Sequence, residues 1–333
     1  GGAGFIGSNF ARYFLEKHPE SHVVVLDVLT YAGNTSNLEG LEKTGRFSFI
    51  QGDICDKPVV ESIVQDVDAI VNFAAESHVD RSILNPDAFV ETNFKGTHVL
   101  LEATRKFEVE RYLQVSTDEV YGHVPHGASK ESDSFHPRSP YAASKAAADH
   151  LTRAWHTTYG LETLVTNATN NFGPYQFPEK LIPRTIIRAL LGEPIEVYGD
   201  GTNVRDWIHV DDHAEALWLA AEKGQPGRTY NIGAESEYQN IDLVRRICAV
   251  LDDDCPEGAP HERHIAFVAD RPGHDHRYAL NSTRIQTELG WQPSVSFDDG
   301  LRKTVGWYLE NRSWWEPLLK TIYDGRRLGQ HVQ

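Results

Sequence analysis

Short apolar runs at His22–Leu26, Phe47–Ile50, Ala69–Phe73 and Tyr112–Val115 alternate with helix-length stretches at Ile6–Lys17, Pro58–Gln65, Ala88–Phe107 and Tyr141–Thr158. Runs this short, without polar alternation, read as strands buried on both faces. Crossover helices on the two sides of a parallel sheet create that environment. The rhythm therefore predicts an α/β architecture built on a doubly wound sheet, with Glu162–Ala168 as a further strand. After Asn170 the rhythm breaks. Pro174, Pro178, Pro183 and Pro194 punctuate shorter elements, Gly199–Gly201 reads as a turn, Pro256–Pro260 as a loop and Phe297–Glu310 as a helix.

A glycine-rich loop opens the chain. Gly1, Gly4 and Gly7 stand at G-x-x-G-x-x-G spacing, which permits a tight turn, close backbone approach and a helix N-terminus aimed at a pyrophosphate. Asp27 closes the first of the apolar runs, 20 residues past Gly7, where a carboxylate accepts both ribose hydroxyls. It would repel a 2′-phosphate, so NAD is favoured over NADP. Asp53-Ile54, after the next run, is placed to hold adenine. The fold expected is a Rossmann-type doubly wound parallel sheet with a smaller C-terminal substrate-binding domain. Residues 1–168 form the NAD unit, residues 169–333 mainly the smaller one, and a segment at about 205–232 returns to the first. Such a glycine loop should follow a buried strand, so we expect the natural gene to encode several apolar residues before Gly1.

Composition closes off other classes. The net charge is −16 and no block of Lys and Arg offers a nucleic-acid surface. Cys55, Cys248 and Cys255 form no C-x-x-C pair, which fits a reducing cytoplasm. The close pairs His209/His213, His261/His264 and His274/His276 lack a metal-binding frame, so no metal is expected. No apolar run reaches the ~18–20 residues of a membrane span.

Tyr141-x-x-x-Lys145 puts two side chains on one helical face. The spacing alone decides little, because Tyr13-x-x-x-Lys17 repeats it on the first helix. Context separates the two. Upstream of Tyr141, the run Tyr112–Val115 delivers Ser116 and Thr117 to the C-terminal edge of the sheet, where open α/β sheets bind ligands. Beside Lys145 and an oxidised nicotinamide, the Tyr141 phenol should ionise below its usual ~10 and act as a base. The neighbours Asp118 and Glu119 add a second capacity. Adjacent strand residues point to opposite faces, so both acids reach one substrate only where the strand opens into a loop. An acid pair with separated pKa values is what an elimination needs.

These motifs resemble the extended short-chain dehydrogenase/reductase family, and within it the nucleotide-sugar 4,6-dehydratases. The matching stretches are Gly1–Ser8, Asp27–Asn34, Ala74–Ser82, Ser116–Gly122, Ser139–Lys145, Asn170–Pro183, Arg205–Trp207 and Asp270–His274. The resemblance implies that Tyr141, assisted by Lys145 and Thr117, starts oxidation at C4 of dTDP-glucose. Glu119 would then remove the C5 proton and Asp118 would protonate the departing 6-hydroxyl. For NAD it implies Phe5, Ile6, Asp27, Thr30, Asp53, Ile54, Ala74, Ala75, Ser77, Thr92 and Asn171, besides the loop glycines, Tyr141 and Lys145. For the nucleotide-sugar it implies Ser77, Thr117, Asn170, Lys180, Leu181, Tyr198, Arg205, Asn240, Arg271 and His274, with the two arginines as a diphosphate clamp. It also implies a homodimer formed through Ala88–Phe107 and Tyr141–Thr158. Thr169 and Phe73 depart mildly from the family pattern, which carries Ser and Leu there.

Two rivals share the Tyr/Lys oxidation, a UDP-sugar 4-epimerase and a UDP-glucuronate decarboxylase. Neither needs Asp118 as an acid for a leaving hydroxyl. A non-catalytic NAD-sensing protein should have lost Tyr141 or Lys145, and both are intact. Thymidine and uridine nucleotides stay undistinguished at this level.

Overall fold

The computed structural model describes residues 1–270 and 273–321. Six parallel strands carry the first architecture, in two blocks. One pairs β1 (Val23–Asp27) with β2 (Phe47–Gln51). The other runs β3 (Ala69–Asn72), β4 (Arg111–Thr117), β5 (Thr163–Ala168), β9 (Thr229–Ile232) in spatial order. Gly1 sits between the blocks. Its nitrogen donates to Leu26 O at 2.6 Å, and a Cβ placed on it would lie 2.3 Å from Ala74 N.

Helices cover both faces, as the alternation predicts. α1 (Phe5–Lys17) packs with α8 (Val210–Lys223) on one side. On the other, α2 (Lys57–Val64), α5 (Thr97–Lys106) and α6 (Pro140–Tyr159) pack in sequence. β4 and β5 are buried almost throughout because neighbours flank them in the sheet and helices cover both faces.

A second core gathers β7 (Ile195–Tyr198), α7 (Leu181–Leu191), α9 (Asn240–Asp254) and α11 (Phe297–Glu310), with Trp207 and Trp315 buried among them. The remaining elements are β6 (Asn170–Phe172), β8 (Val204–His209), β10 (Glu237–Gln239), β11 (Ile265–Val268), α10 (Thr283–Leu289) and α12 (Arg312–Thr321). Ile208, Ala214, Leu217, Tyr230 and Ile232 pack instead with Leu113 and Leu164 of the parallel sheet. The prolines after Asn170 mislead as to length, since α7, α9 and α11 have 11, 15 and 14 residues. Pro183 falls in the first turn of α7, where its missing N–H has no intrahelical partner to lose.

The expected single helix Ala88–Phe107 is instead three pieces. α3 (Val79–Leu84), which the sequence reading passed over, precedes α4 (Pro86–Phe89), and a π-helical stretch Val90–Gly96 leads into α5. The wider turn changes which residues face inward. Thr92 lines the cofactor cleft, while buried Asn93 turns toward the loop after β3. Its Oδ1 accepts from Glu76 N at 2.8 Å, and its Nδ2 donates to Glu76 O at 3.0 Å and to Ser144 Oγ at 2.8 Å. Asn93→Ala removes a buried side chain and leaves the part-buried Glu76 N–H without its acceptor, so equilibrium unfolding in urea should show a loss of about 2 kcal/mol.

Candidate active site

The reaction centre grows from the end of β4. Thr117 is its last residue, and Asp118–Tyr121 form a 3-10 turn that Thr117 caps, its Oγ1 accepting from Glu119 N at 3.3 Å. The acids thus lie just past the end of the strand, as expected, carried on an ordered turn. Gly122 ends the turn at φ +74, where a Cβ would lie 2.2 Å from His136 O. Opposite stands α6, capped by Ser139 Oγ accepting from Ala142 N at 3.1 Å and started by Pro140. Tyr141 and Lys145 lie buried in its first turns.

Burial dominates the electrostatics. Asp118 is 3% exposed, and desolvation together with the Glu119 charge pushes its carboxyl up to about 8. Its Oδ2 has no hydrogen-bond partner among the described residues. Burial also lowers the Lys145 ammonium to about 8, with Asp149 opposing. The depression of Tyr141 expected beside an oxidised nicotinamide concerns the cofactor-bound site; the protein's own groups act the other way. Burial and the charges of Glu119 and Asp118 raise the phenol above its usual value, against a hydrogen bond from Thr117. Lys145 directs Nζ to Val115 O at 2.7 Å, so its charge is engaged by a main-chain carbonyl.

Two clefts meet at this point. The larger, about 360 Å³, is lined by Gly1, Gly4, Phe5, Ile6, Gly7, Asp27, Thr30, Asp53, Ile54, Ala74, Ala75, Ser77, Thr92, Tyr141, Lys145 and Asn171. Every residue expected at the dinucleotide is therefore gathered there, with Thr117, Asp118 and Glu119 at its inner end. The residues fit NAD. A Cβ on Gly7 would lie 2.5 Å from Gly1 O, so only glycine lets the loop close against the helix. The start of α1 has no side-chain cap, which leaves its first N–H groups for a pyrophosphate. Asp27 accepts from Ala3 N at 2.9 Å and Leu29 N at 2.8 Å, tying the loop to β1 and keeping a lone pair on each oxygen.

The smaller cleft, about 190 Å³, gathers Ser77, Asn170, Lys180, Leu181, Tyr198, Arg205, Asn240 and His274, all expected at the nucleotide-sugar. Arg271 lies outside the described residues. Arg205 is less open than a diphosphate clamp implies. It donates to Val204 O at 2.7 Å and Asp275 O at 2.8 Å and stacks on Tyr278. Tyr198 donates to Asp80 Oδ2 at 3.1 Å, and His274 pairs with Asp270 at 2.7 Å.

Several lining residues escaped the sequence reading. Thr169, Gln176 and His213 face the larger cleft, and each has a buried polar atom without a partner among the described residues. His213 Nδ1 meets Asn171 Oδ1 at 2.7 Å, whereas His209 packs on Phe172. The two histidines sit close in sequence but have different surroundings. Glu179 lines both clefts, held by Arg81 at 3.5 Å. Its place in the proline-rich segment after Asn170 hid it.

The family model described as GDP-mannose 4,6 dehydratase matches residues 1–304. The chain belongs to the GDP-mannose 4,6 dehydratase family. The dTDP-glucose 4,6-dehydratase of Xanthomonas campestris pv. campestris strain B100 is 50% identical, the match covering 100% of this chain and 98% of that one. The crystal structure of dTDP-glucose 4,6-dehydratase from Streptomyces venezuelae, with NAD bound, is similar at a TM-score of 0.90 and 48% identity, covering 96% of this chain and 98% of that one. UDP-glucose 4-epimerase of Thermus thermophilus, solved with NAD, is similar at 0.84 and 31% identity, covering 93% and 97%.

The buried acid of this family member carries a stability signature. A carboxyl whose folded pKa is raised lends stability that is complete below its unfolded value of ~4 and is lost as pH climbs through the folded value of about 8. Asp118→Asn removes that loss. Thermal melts should show the variant gaining on the parent between pH 5 and pH 9, and parallel curves would contradict the burial argument.

Proposed function

We propose that this chain is an NAD-dependent dTDP-glucose 4,6-dehydratase, a hydro-lyase yielding dTDP-4-dehydro-6-deoxyglucose. NAD, when bound, supplies the oxidising capacity that makes C4 of the glucose a ketone and later restores the electron pair at C6. Tyr141 takes the 4-hydroxyl proton, with Thr117 and Lys145 beside it. The ketone acidifies C5, and Glu119 removes that proton. Asp118 delivers its own proton to the departing 6-hydroxyl.

The observation that carries this reading is Asp118 itself, an acid raised to about 8 and therefore protonated near neutral pH, next to Glu119. A 4-epimerase or a glucuronate decarboxylase has no leaving hydroxyl to protonate. The Xanthomonas and Streptomyces relatives, both bearing the dehydratase name, support the same choice. Residues 1–168, with about 205–232 returning, serve as the NAD unit and the rest as the nucleotide-sugar unit, in keeping with the two separate cores. Free cysteines at 55, 248 and 255 support a cytoplasmic setting, and no helix among the described residues is long and apolar enough to cross a membrane.

Incubation of the chain with dTDP-glucose and UDP-glucose, followed by mass spectrometry, should show loss of one water from the former and much less from the latter. Loss from neither rejects the reading. Water loss should fall as pH rises past about 8, where Asp118 gives up its proton. Asp118→Asn should accumulate the 4-ketoglucose nucleotide, and equal slowing of oxidation and water loss would mean the acid role is misplaced.

A homodimer completes the proposal. Val90 and Phe94 are exposed by 56% and 39% on the helical stretch expected to pair, and Leu84 by 52% just before it. Val90→Glu with Phe94→Glu should convert dimer to monomer in sedimentation-velocity runs. An unchanged sedimentation coefficient would place the interface elsewhere.

A further inference from the structure

Beneath the Tyr/Lys pair lies a charged residue that the reaction as derived does not use. Asp149 is fully buried, one helical turn after Lys145 on the face of α6 that meets β4 and β5. Ser116 Oγ donates to its Oδ2 at 2.8 Å, and Asn167 Nδ2 to the same oxygen at 3.2 Å. The other oxygen, Oδ1, has no hydrogen-bond partner among the described residues. Asn167 Nδ2 also reaches Thr117 O at 3.2 Å, so this carboxylate is wired to the strand end that bears the reactive acids. A carboxylate stripped of water and given only two neutral donors on one oxygen needs a cation nearby.

We propose that Asp149 is the buried counter-anion of Lys145, a positioning residue that keeps the lysine an ammonium at the end of β4. The titratable groups facing it are few. Lys145 precedes it and Arg153 follows it on α6, each by one turn, and Tyr141 lies on the same helix. Tyr112 comes from β4 and Tyr121 from the turn after it, while β5 contributes the uncharged Asn167. Arg153 donates to Thr229 Oγ1 at 3.1 Å and stacks on Phe135, engagements that draw it away from the reaction centre. Lys145 has a main-chain carbonyl as its hydrogen-bond acceptor, which orients the ammonium but carries no full charge. Burial acts on the pair from both sides, lowering Lys145 to about 8 and raising Asp149 to about 6, and each group opposes the shift of the other.

The inference rests on the placing of Lys145 in the oxidation site, and its decisive measurement needs no turnover. In the full chain labelled with 13Cε-lysine, the Lys145 signal is assigned by its loss in Lys145→Met. Besides its own midpoint, that signal should show a smaller inflection near pH 6, where Asp149 takes up a proton. Asp149→Asn keeps the shape of the side chain and should move the Lys145 midpoint to lower pH by about one unit or more, while Asp149→Glu returns most of it. The alkaline limb of dTDP-glucose turnover should move in the same direction. A merely structural role would lower activity equally at every pH and leave the lysine midpoint in place. An unmoved midpoint in a folded Asp149→Asn overturns the proposal. So does the absence of the pH 6 inflection in the unsubstituted chain, whether or not the variant folds. Failure of turnover with an intact lysine titration would instead count against the assigned substrate.

Discussion

The whole site hangs on a strand that stops at a fixed residue. β4 lies between β3 and β5 in parallel register, with Asn72 opposite Gln114 and Thr117 opposite Ala168. A strand held on both edges cannot slip by one residue without turning its side chains to the wrong faces. The position of Thr117 is therefore set by the whole ladder, and so is the turn that carries Asp118 and Glu119. Ser116 and Asn167 then join the strand end to α6 through Asp149, which fixes the distance between the acids and the helix bearing Tyr141 and Lys145.

Within that frame, the protein obtains two chemically different acids from neighbouring positions. Asp118 points where desolvation is nearly complete and holds a proton near neutrality. Glu119, one residue on, is only partly buried. The 3-10 turn is what separates them, since it rotates adjacent residues apart without the strict opposition of a strand. Tyr141 is left with a phenol that burial and the acids hold protonated.

Legibility in the sequence followed the range of the interactions. Strands β1 to β5, with α1, α6 and α11, were readable because local periodicity and caps such as Ser139-Pro140 dictate them, whereas β6 to β11 were not read as strands. Most of the residues that line the two clefts beside the cofactor loop and the acids were also readable, from the glycine loop, from Asp27 and from motif resemblance, but Thr169, Gln176, Glu179 and His213 were not. The π-helical stretch was not, because it depends on Asn93 reaching Glu76 and Ser144, contacts without a local pattern. The place of His213 in the larger cleft was missed for a similar reason. Its contact with Asn171, 42 residues away in the chain, leaves no local pattern. The upward shift of Tyr141 was hidden as well, since it arises from burial and from charges that approach only in three dimensions.

The two clefts share Ser77, Glu119, Asn170, Glu179 and Lys180 as a common wall. Such a partition makes the occupants thermodynamic partners. Whatever rearrangement of Glu179 or Lys180 favours one ligand alters the surface presented to the other, and the resulting change in affinity must be equal in both directions. An enzyme that ends each cycle with its cofactor as it began has use for that reciprocity. Binding of a sugar nucleotide on one side of the wall is thereby coupled to retention of the dinucleotide on the other.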